Sequence, residues 1–214
     1  TLISRNNLAG AYDNAGRLNE AIALHEQTLE DHTRILGPDH PNTLTSRNNL
    51  ASAYRDAGRL DEAIALHEQT LEDHTRILGP HHPNTLISRN NLASAYRDAG
   101  MLEEAIALYE QTLEDRTRIL GPHHPDTLIS RNNLASAYQD AGGIDESILL
   151  HEQTLEESTR ILGPNHPSTL TSRNNLAVAY RAAGRFDDAD NLLETPSDSE
   201  QDDTEEDPDQ ETDD

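Results

Sequence analysis

The chain of 214 residues contains no cysteine, no tryptophan and no lysine. Without cysteine there is neither a disulfide framework nor a thiolate metal site, which fits a cytoplasmic protein. Aromatic residues make up 3% and hydrophobic residues 34%. That is little for one compact core of this length, so an elongated or repetitive body is expected. No apolar run approaches the roughly 18 residues needed to cross a membrane, and no signal-peptide pattern opens the chain. Positive charge is scarce too, and the net charge of -24 argues against nucleic acid and anionic membranes as partners, both of which are bound chiefly through basic surface.

Residues 195–214, "TPSDSEQDDTEEDPDQETDD", carry 11 acidic and no basic side chains. With no large apolar residue to bury, this tail is expected to be disordered. The remaining 194 residues hold 29 acidic and 16 basic side chains, a net of -13.

What the chain has in abundance is repetition. Thr1, Thr43, Thr85, Thr127 and Thr169 open successive units 42 residues apart, each followed by leucine. The units are 1–42, 43–84, 85–126 and 127–168, with a partial fifth at 169–194. Units 2 and 3 differ at six places: Thr45/Ile87, Arg59/Met101, Asp61/Glu103, His67/Tyr109, His74/Arg116 and Asn84/Asp126. A period of this size is the mark of a solenoid. The chain opens in register with a repeat and without methionine, so a longer parent protein is expected.

Within a unit, Leu8, Ala11, Tyr12 and Ala15 fall on one face of a helix A that Gly16 terminates. Leu18, Ala21, Ile22, His25, Thr28, Leu29, His32, Ile35 and Leu36 form the apolar stripe of a longer helix B. Its opposite side, with Glu20, Glu26, Gln27, Glu30, Asp31 and Arg34, reads as a solvated back on which Glu30 pairs with Arg34. "GPDHPN" at residues 37–42 then breaks the chain, and Asn42, Asn84, Asp126 and Ser168 are expected to cap the next helix A. Each unit is thus a helical hairpin that has to stack on its neighbours. Asp190, standing where unit 1 has Ile22, fits a last unit with nothing to cover it.

The segment "RNNLASAYRDAGRLDEAIALHEQTLEDHTRILGPHHPN", with its "NNLA", "EA" and "LG..HP", resembles the tetratricopeptide repeat, and within it the 42-residue repeats of kinesin light chains and their bacterial relatives. The resemblance covers residues 1–194. It implies an all-α, right-handed superhelical solenoid of antiparallel hairpins, a protein-binding scaffold with no cofactor, and a concave surface lined by helix A. The departures are arginine at Arg5, Arg47, Arg89, Arg131 and Arg173, where many such repeats carry a large aromatic, and a histidine or tyrosine at His25, His67, Tyr109 and His151.

On helix A, the face opposite Leu8 carries Ile3, Asn6, Asn7, Gly10, Asp13 and Asn14, which the resemblance places in the groove. An amide offers two donors and an acceptor on a short stem, matched to the peptide groups of an extended chain. Asn7, Asn49, Asn91, Asn133 and Asn175 would form a ladder there, flanked by Asn6, Asn48, Asn90, Asn132 and Asn174. In related repeats the asparagine just before the leucine contacts bound peptide backbone, a role the resemblance gives to the Asn7 series only. Arg55, Arg97 and Arg181 lie one turn on and could hold carboxylates. Two readings of the asparagines stand side by side: groove contact, taken first for the Asn7 series, and bonding between neighbouring units, taken first for the Asn6 series.

Eleven histidines raise the question of a metal. The pairs His81-His82 and His123-His124 lie in proline-bounded turns, however, where adjacent residues rarely converge on one ion, and turn packing is the better reading. Ser, His and Asp recur in every unit, whereas an active site needs one asymmetric constellation, so the chain reads as non-enzymatic. A protein or peptide partner is expected. Weak head-to-tail self-association through the repeat flanks, and occupation of the groove arginines by the acidic tail, are the alternatives.

Overall fold

The computed structural model describes residues 1–194, apart from the side chain of Ile3; the acidic tail lies outside the described residues. Among the described residues ten helices follow one another: α1 Leu2–Asn14, α2 Leu18–Leu36, α3 Pro41–Asp56, α4 Leu60–Leu78, α5 Pro83–Asp98, α6 Leu102–Leu120, α7 Pro125–Asp140, α8 Ile144–Leu162, α9 Pro167–Ala182 and α10 Phe186–Leu193. Odd-numbered helices are the A helices and even-numbered ones the B helices. Each packs on the next in sequence, and in addition α3 touches α5 and α7 touches α9. Contact between successive A helices puts them on the inner arc of an all-α solenoid, with the B helices outside.

Three of the junctions are filled by equivalent side chains. Leu50 and Ala53 of α3 bury against Ile22 of α2, and Leu176 and Ala179 of α9 against Ile148 of α8. An A helix is therefore sandwiched between two B helices. Leu8, with no B helix before it among the described residues, is 46% exposed, while Leu50, Leu92, Leu134 and Leu176 are buried. At the other end Asp190 is exposed and bonds to Arg181 at 3.0 Å.

The breaks between helices follow the residues closely. Gly16 takes φ +72°, its N–H bonds to the Asp13 carbonyl and that of Arg17 to the Tyr12 carbonyl, the paired bonds of a Schellman motif. At the start of α3, α5, α7 and α9 the cap differs from the sequence expectation. The N-caps are His40, His82, His124 and His166, whose Nδ1 accepts from the backbone N–H of Asn42, Asn84, Asp126 and Ser168 at 3.1–3.2 Å. Proline is a favoured first helical residue, so Pro41 and its equivalents move the helix start two residues upstream and leave the expected caps inside the first turn. Thr43, Thr85 and Thr127 are fully buried and donate to the carbonyls of Gly37, Gly79 and Gly121, tying each A helix to the end of the B helix before it. His82→Ala is expected to cost about 1 kcal/mol in urea denaturation, the usual worth of an N-cap, and His82→Ser less.

The back of helix B also departs from the expectation. Arg34 bonds to Asp31 at 2.6 Å rather than to Glu30. Asp31 and its equivalents turn toward helix A, where Arg5 meets Asp31 at 2.6 Å, Arg47 meets Asp73 at 2.6 Å and Arg89 meets Asp115 at 2.8 Å. Arg5, Arg47 and Arg89 are thus the inner half of an ion pair clamping the hairpin. Glu26, Glu68 and Glu152 accept from Tyr54, Tyr96 and Tyr180 of the following unit at 2.7 Å, and Glu110 accepts from Tyr138. Burial, followed by the bond to Glu68, pushes the Tyr96 phenol up to about 12.

Candidate binding surface

Asparagines meet one another across two of the unit junctions. Asn49 Nδ2 donates to Asn6 Oδ1 at 3.0 Å, and Asn133 Nδ2 to Asn90 Oδ1 at 2.9 Å. An asparagine side chain has a second N–H and an acceptor oxygen, and for Asn49 and Asn133 neither has a further hydrogen-bond partner among the described residues. Asn7 is exposed, whereas Asn49, Asn91, Asn133 and Asn175 are half-buried along α3, α5, α7 and α9. In the other series Asn6, Asn48, Asn90 and Asn132 are also half-buried, and Asn174 is exposed. Asn132 Oδ1 bonds to His151 Nδ1 at 3.1 Å and its amide to Ser172 Oγ at 3.4 Å, and Asn48 Oδ1 is buried without a partner.

The arginines of the same face are engaged with carboxylates. Arg55 Nε lies 3.5 Å from Asp98 of the next unit and Arg97 Nε lies 3.4 Å from Asp140. Both arginines are about 30% exposed, and Arg181, at 47%, is held by Asp190. A visiting carboxylate would have to compete for them.

Three cavities recur at related positions of successive units, and the first two border the ladder. The largest, about 340 Å³, lies among Thr45, Asn48 and Asn49 of α3, His74, Ile77 and Leu78 of α4, and Asn84, Ile87 and Asn91 of α5. Moving each residue back by one unit gives a cavity of about 230 Å³ lined by Asn6, His32, Asn42, Thr45 and Asn49. Moving forward gives one of about 210 Å³ lined by Ile87, Arg116, Ile119, Leu120 and Asp126. Sequence reasoning misses this row. Periodicity assigns Ile35 and Leu36 to the inner stripe of helix B, yet they are 57% and 38% exposed, and Ile77, Leu78, Ile119 and Leu120 are exposed in the same way. The one signal available is Ile87 and Ile129 interrupting an otherwise polar face.

The ring positions of helix B are structural. His25, His67, Tyr109 and His151 are all buried. Tyr109 bonds to Ser94 Oγ at 2.7 Å and His25 to Asp13 at 3.2 Å, while both ring nitrogens of His67 lack partners. Burial, with Arg55 adding to it, lowers His67 to about 4, and burial alone lowers His151 to about 4. His81 and His123 cross to the next unit, where they reach Asp115 at 3.2 Å and Glu157 at 2.7 Å. Among the described residues no group of three or more His, Asp or Glu is placed to hold a metal ion. No helix among them is long and apolar enough to cross a membrane.

Comparison with known proteins follows the same lines. The sequence profile of the tetratricopeptide repeat matches residues 1–73, 46–117, 90–156 and 132–195. A Podosopora anserina protein of the kinesin light chain type, with nearly identical TPR-like repeats, is 37% identical over 90% of this chain and 91% of its own, with a TM-score of 0.77. A point variant of that protein gives 36% identity, the same coverage and a TM-score of 0.79. BtubC (BKLC) from P. vanneervenii, at 24% identity and a TM-score of 0.72 over 87% of this chain and 74% of its own, shares the fold. Among curated proteins nothing matches the sequence.

Proposed function

The chain belongs to the tetratricopeptide repeat family, with repeats of the kinesin-light-chain-like kind, and on that premise we propose that it is a non-enzymatic scaffold holding an extended peptide or partner segment along its inner face. The fold commonly mediates protein–protein interaction. What carries the reading is the placement of two features on one face: asparagine pairs bridge units 1 and 2 and units 3 and 4, and cavities open beside the asparagines at the first two junctions. Packed helices lie about 8–10 Å apart, and an extended chain advances about 3.3–3.6 Å per residue. About every third residue of a bound segment therefore meets the next asparagine, with side chains free to enter the cavities. The bonds between asparagines support this role, because holding one N–H fixes the amide and directs its remaining donor and acceptor at the groove.

Two variants separate groove contact from stacking. One changes Asn7, Asn49, Asn91 and Asn133 to alanine; the other changes Asn6, Asn48, Asn90 and Asn132, which removes the same pairs from their other side. Peptides selected from a library on the wild-type protein are expected to lose at least about tenfold in affinity on the first variant and less than about threefold on the second, a factor of ten being about 1.4 kcal/mol. Equal losses on both, with matching drops in melting temperature by circular dichroism, would reassign the asparagines to stacking.

Head-to-tail assembly is the weaker reading. The junctions of units 1 and 2, 3 and 4, and 4 and 5 each seat a leucine such as Leu50 on an isoleucine such as Ile22, whereas stacking two copies would seat Leu8 on Asp190. A charged side chain there is costly to bury. Light scattering is expected to stay at monomer mass across concentration.

A further inference from the structure

The three cavities differ in charge. His32, His74 and Arg116 occupy the same place in units 1, 2 and 3, and each bonds to the serine of the following A helix, at 2.7 Å to Ser46, 2.7 Å to Ser88 and 2.8 Å to Ser130. The histidines are neutral fillers when unprotonated, but a guanidinium in a protein keeps its charge. Arg116 is 7% exposed, and its Nη1 also donates to the Asp126 carbonyl at 2.9 Å. Burial lowers its pKa and Asp126 partly offsets this. It makes no ion pair within 4.0 Å among the described residues, whereas Arg5, Arg47 and Arg89 each have one.

This cation borders the cavity of about 210 Å³ whose other walls include the aliphatic side chains of Leu86, Ile87, Ile119 and Leu120. The local sequence has changed together with the charge. Of the six differences between the otherwise identical units 2 and 3, three fall on cavity positions: Thr45/Ile87, His74/Arg116 and Asn84/Asp126. The third unit's cavity keeps four aliphatic side chains and adds a permanent charge.

We propose that the unit 3 cavity is a carboxylate subsite of the groove, in which Arg116 receives the carboxylate and Ile119 and Leu120 hold the aliphatic group that carries it. The proposal rests on the groove-binding reading and deepens it. A carboxylate supplies the counter-charge that the buried guanidinium lacks, through charge-assisted hydrogen bonds in a site of low dielectric. The Asp126 carboxylate stands at the rim, where its side chain is 55% exposed and 4.0 Å from His124 Nδ1. It opposes an incoming anion and sets a limit on affinity.

The same chemistry could come from a chain terminus or from an acidic side chain between aliphatic neighbours, and two pairs of probes distinguish them. N-acetyl-leucine is compared with N-acetyl-leucinamide, and acetyl-Leu-Glu-Leu-amide with acetyl-Leu-Gln-Leu-amide, by titration against the whole chain with the backbone amide signals of Ile119 and Leu120 read by NMR. In at least one pair the acid is expected to bind about tenfold more tightly than its amide, and the larger preference names the source. Arg116→His, which installs the residue of the other two units, should abolish the preference with the fold intact. Asp126→Asn, the residue at 42 and 84, should tighten the acid about threefold. Acids and amides binding alike in both pairs, or a preference that survives Arg116→His, would overturn the subsite. None of these readouts uses the asparagine ladder, so loss of the subsite and loss of the groove reading are separately visible.

Discussion

At pH 4.5 the His67→Tyr variant is expected to exceed wild type in stability by about 2.5 kcal/mol, and at pH 7.5 to differ by less than about 1 kcal/mol. His67 is fully buried with both ring nitrogens unpartnered, and burial lowers it from 6.5 to about 4. Above pH 6.5 the ring is neutral whether the chain is folded or not, and its contribution is intact. As pH falls below 6.5 the unfolded chain takes up a proton that the folded chain refuses, so stability drops steadily until about pH 4 and no further. The total loss is about 3 kcal/mol. His151 adds a similar loss in the same window, and His74 shifts in the same direction, chiefly by burial.

Tyrosine is accommodated because the chain already contains the test case. Tyr109 packs with Ala93, Ala105, Leu134 and Ala137, with Tyr96 and Ile106 beside them. One unit earlier the same positions are Ala51, Ala63, Leu92, Ala95, Tyr54 and Ile64, and Ser52 stands where Ser94 accepts or donates to the phenol. Urea denaturation followed at several pH values checks the prediction. A wild-type stability that stays flat from pH 6.5 to 4.5 would show that His67 titrates normally. The carboxylates do not blur this window. At Asp73 and Asp115 burial acts upward, but the arginine bonds outweigh it and hold both below the usual range, so their stabilisation is lost only at lower pH.

Asp115→Ala is expected to destabilise the protein by about 3–5 kcal/mol, because it strands a buried cation rather than merely deleting a contact. Asp115 gathers Arg89 at 2.8 Å, Arg118 at 2.8 Å and His81 at 3.2 Å. Arg118 and His81 are exposed enough to return to water. Arg89 is not: its side chain is 6% exposed, and without Asp115 it keeps only the Pro80 carbonyl at 3.2 Å. Arg89→Met/Asp115→Leu should recover most of the loss, since replacing both charges by apolar groups removes the stranded cation. Equal losses in the single and double variants would mean that packing, not charge, dominates. Because units couple mainly to their neighbours, the Asp115→Ala transition should also broaden as unit 3 loosens before the rest.

Much of the fold is legible in the residues. The 42-residue period, the leucine and alanine face of helix A, the longer stripe of helix B and the glycine breaks are local features, and backbone preference and burial are what local patterns encode. The asparagine series is legible as a helical face, though not as pairs. Asn6 meets Asn49 43 residues away, at a distance set by how two hairpins stack. The caps escape sequence reasoning for a related reason: whether His40 or Asn42 closes the helix depends on the turn that Pro41 imposes, and both side chains are chemically able to do it.

The sequence by itself determined that this chain is a row of like helical hairpins and which of its faces are apolar. Only the tertiary structure decided which charges are spent and which are left. Arg5, Arg47 and Arg89 are written identically to Arg131 and Arg173, and Arg34 has both Glu30 and Asp31 within about one helical turn before it, yet the crossing of helix B over helix A chose the carboxylate that turns inward. The same crossing left the ends of helix B standing off the next helix A, which exposes Ile77 and Ile119, opens a cavity at each of the first three junctions, and places Arg116 in the third without a counter-ion among the described residues. Side-chain type is a property of the chain, but the distance between two side chains from different hairpins exists only once the hairpins are packed.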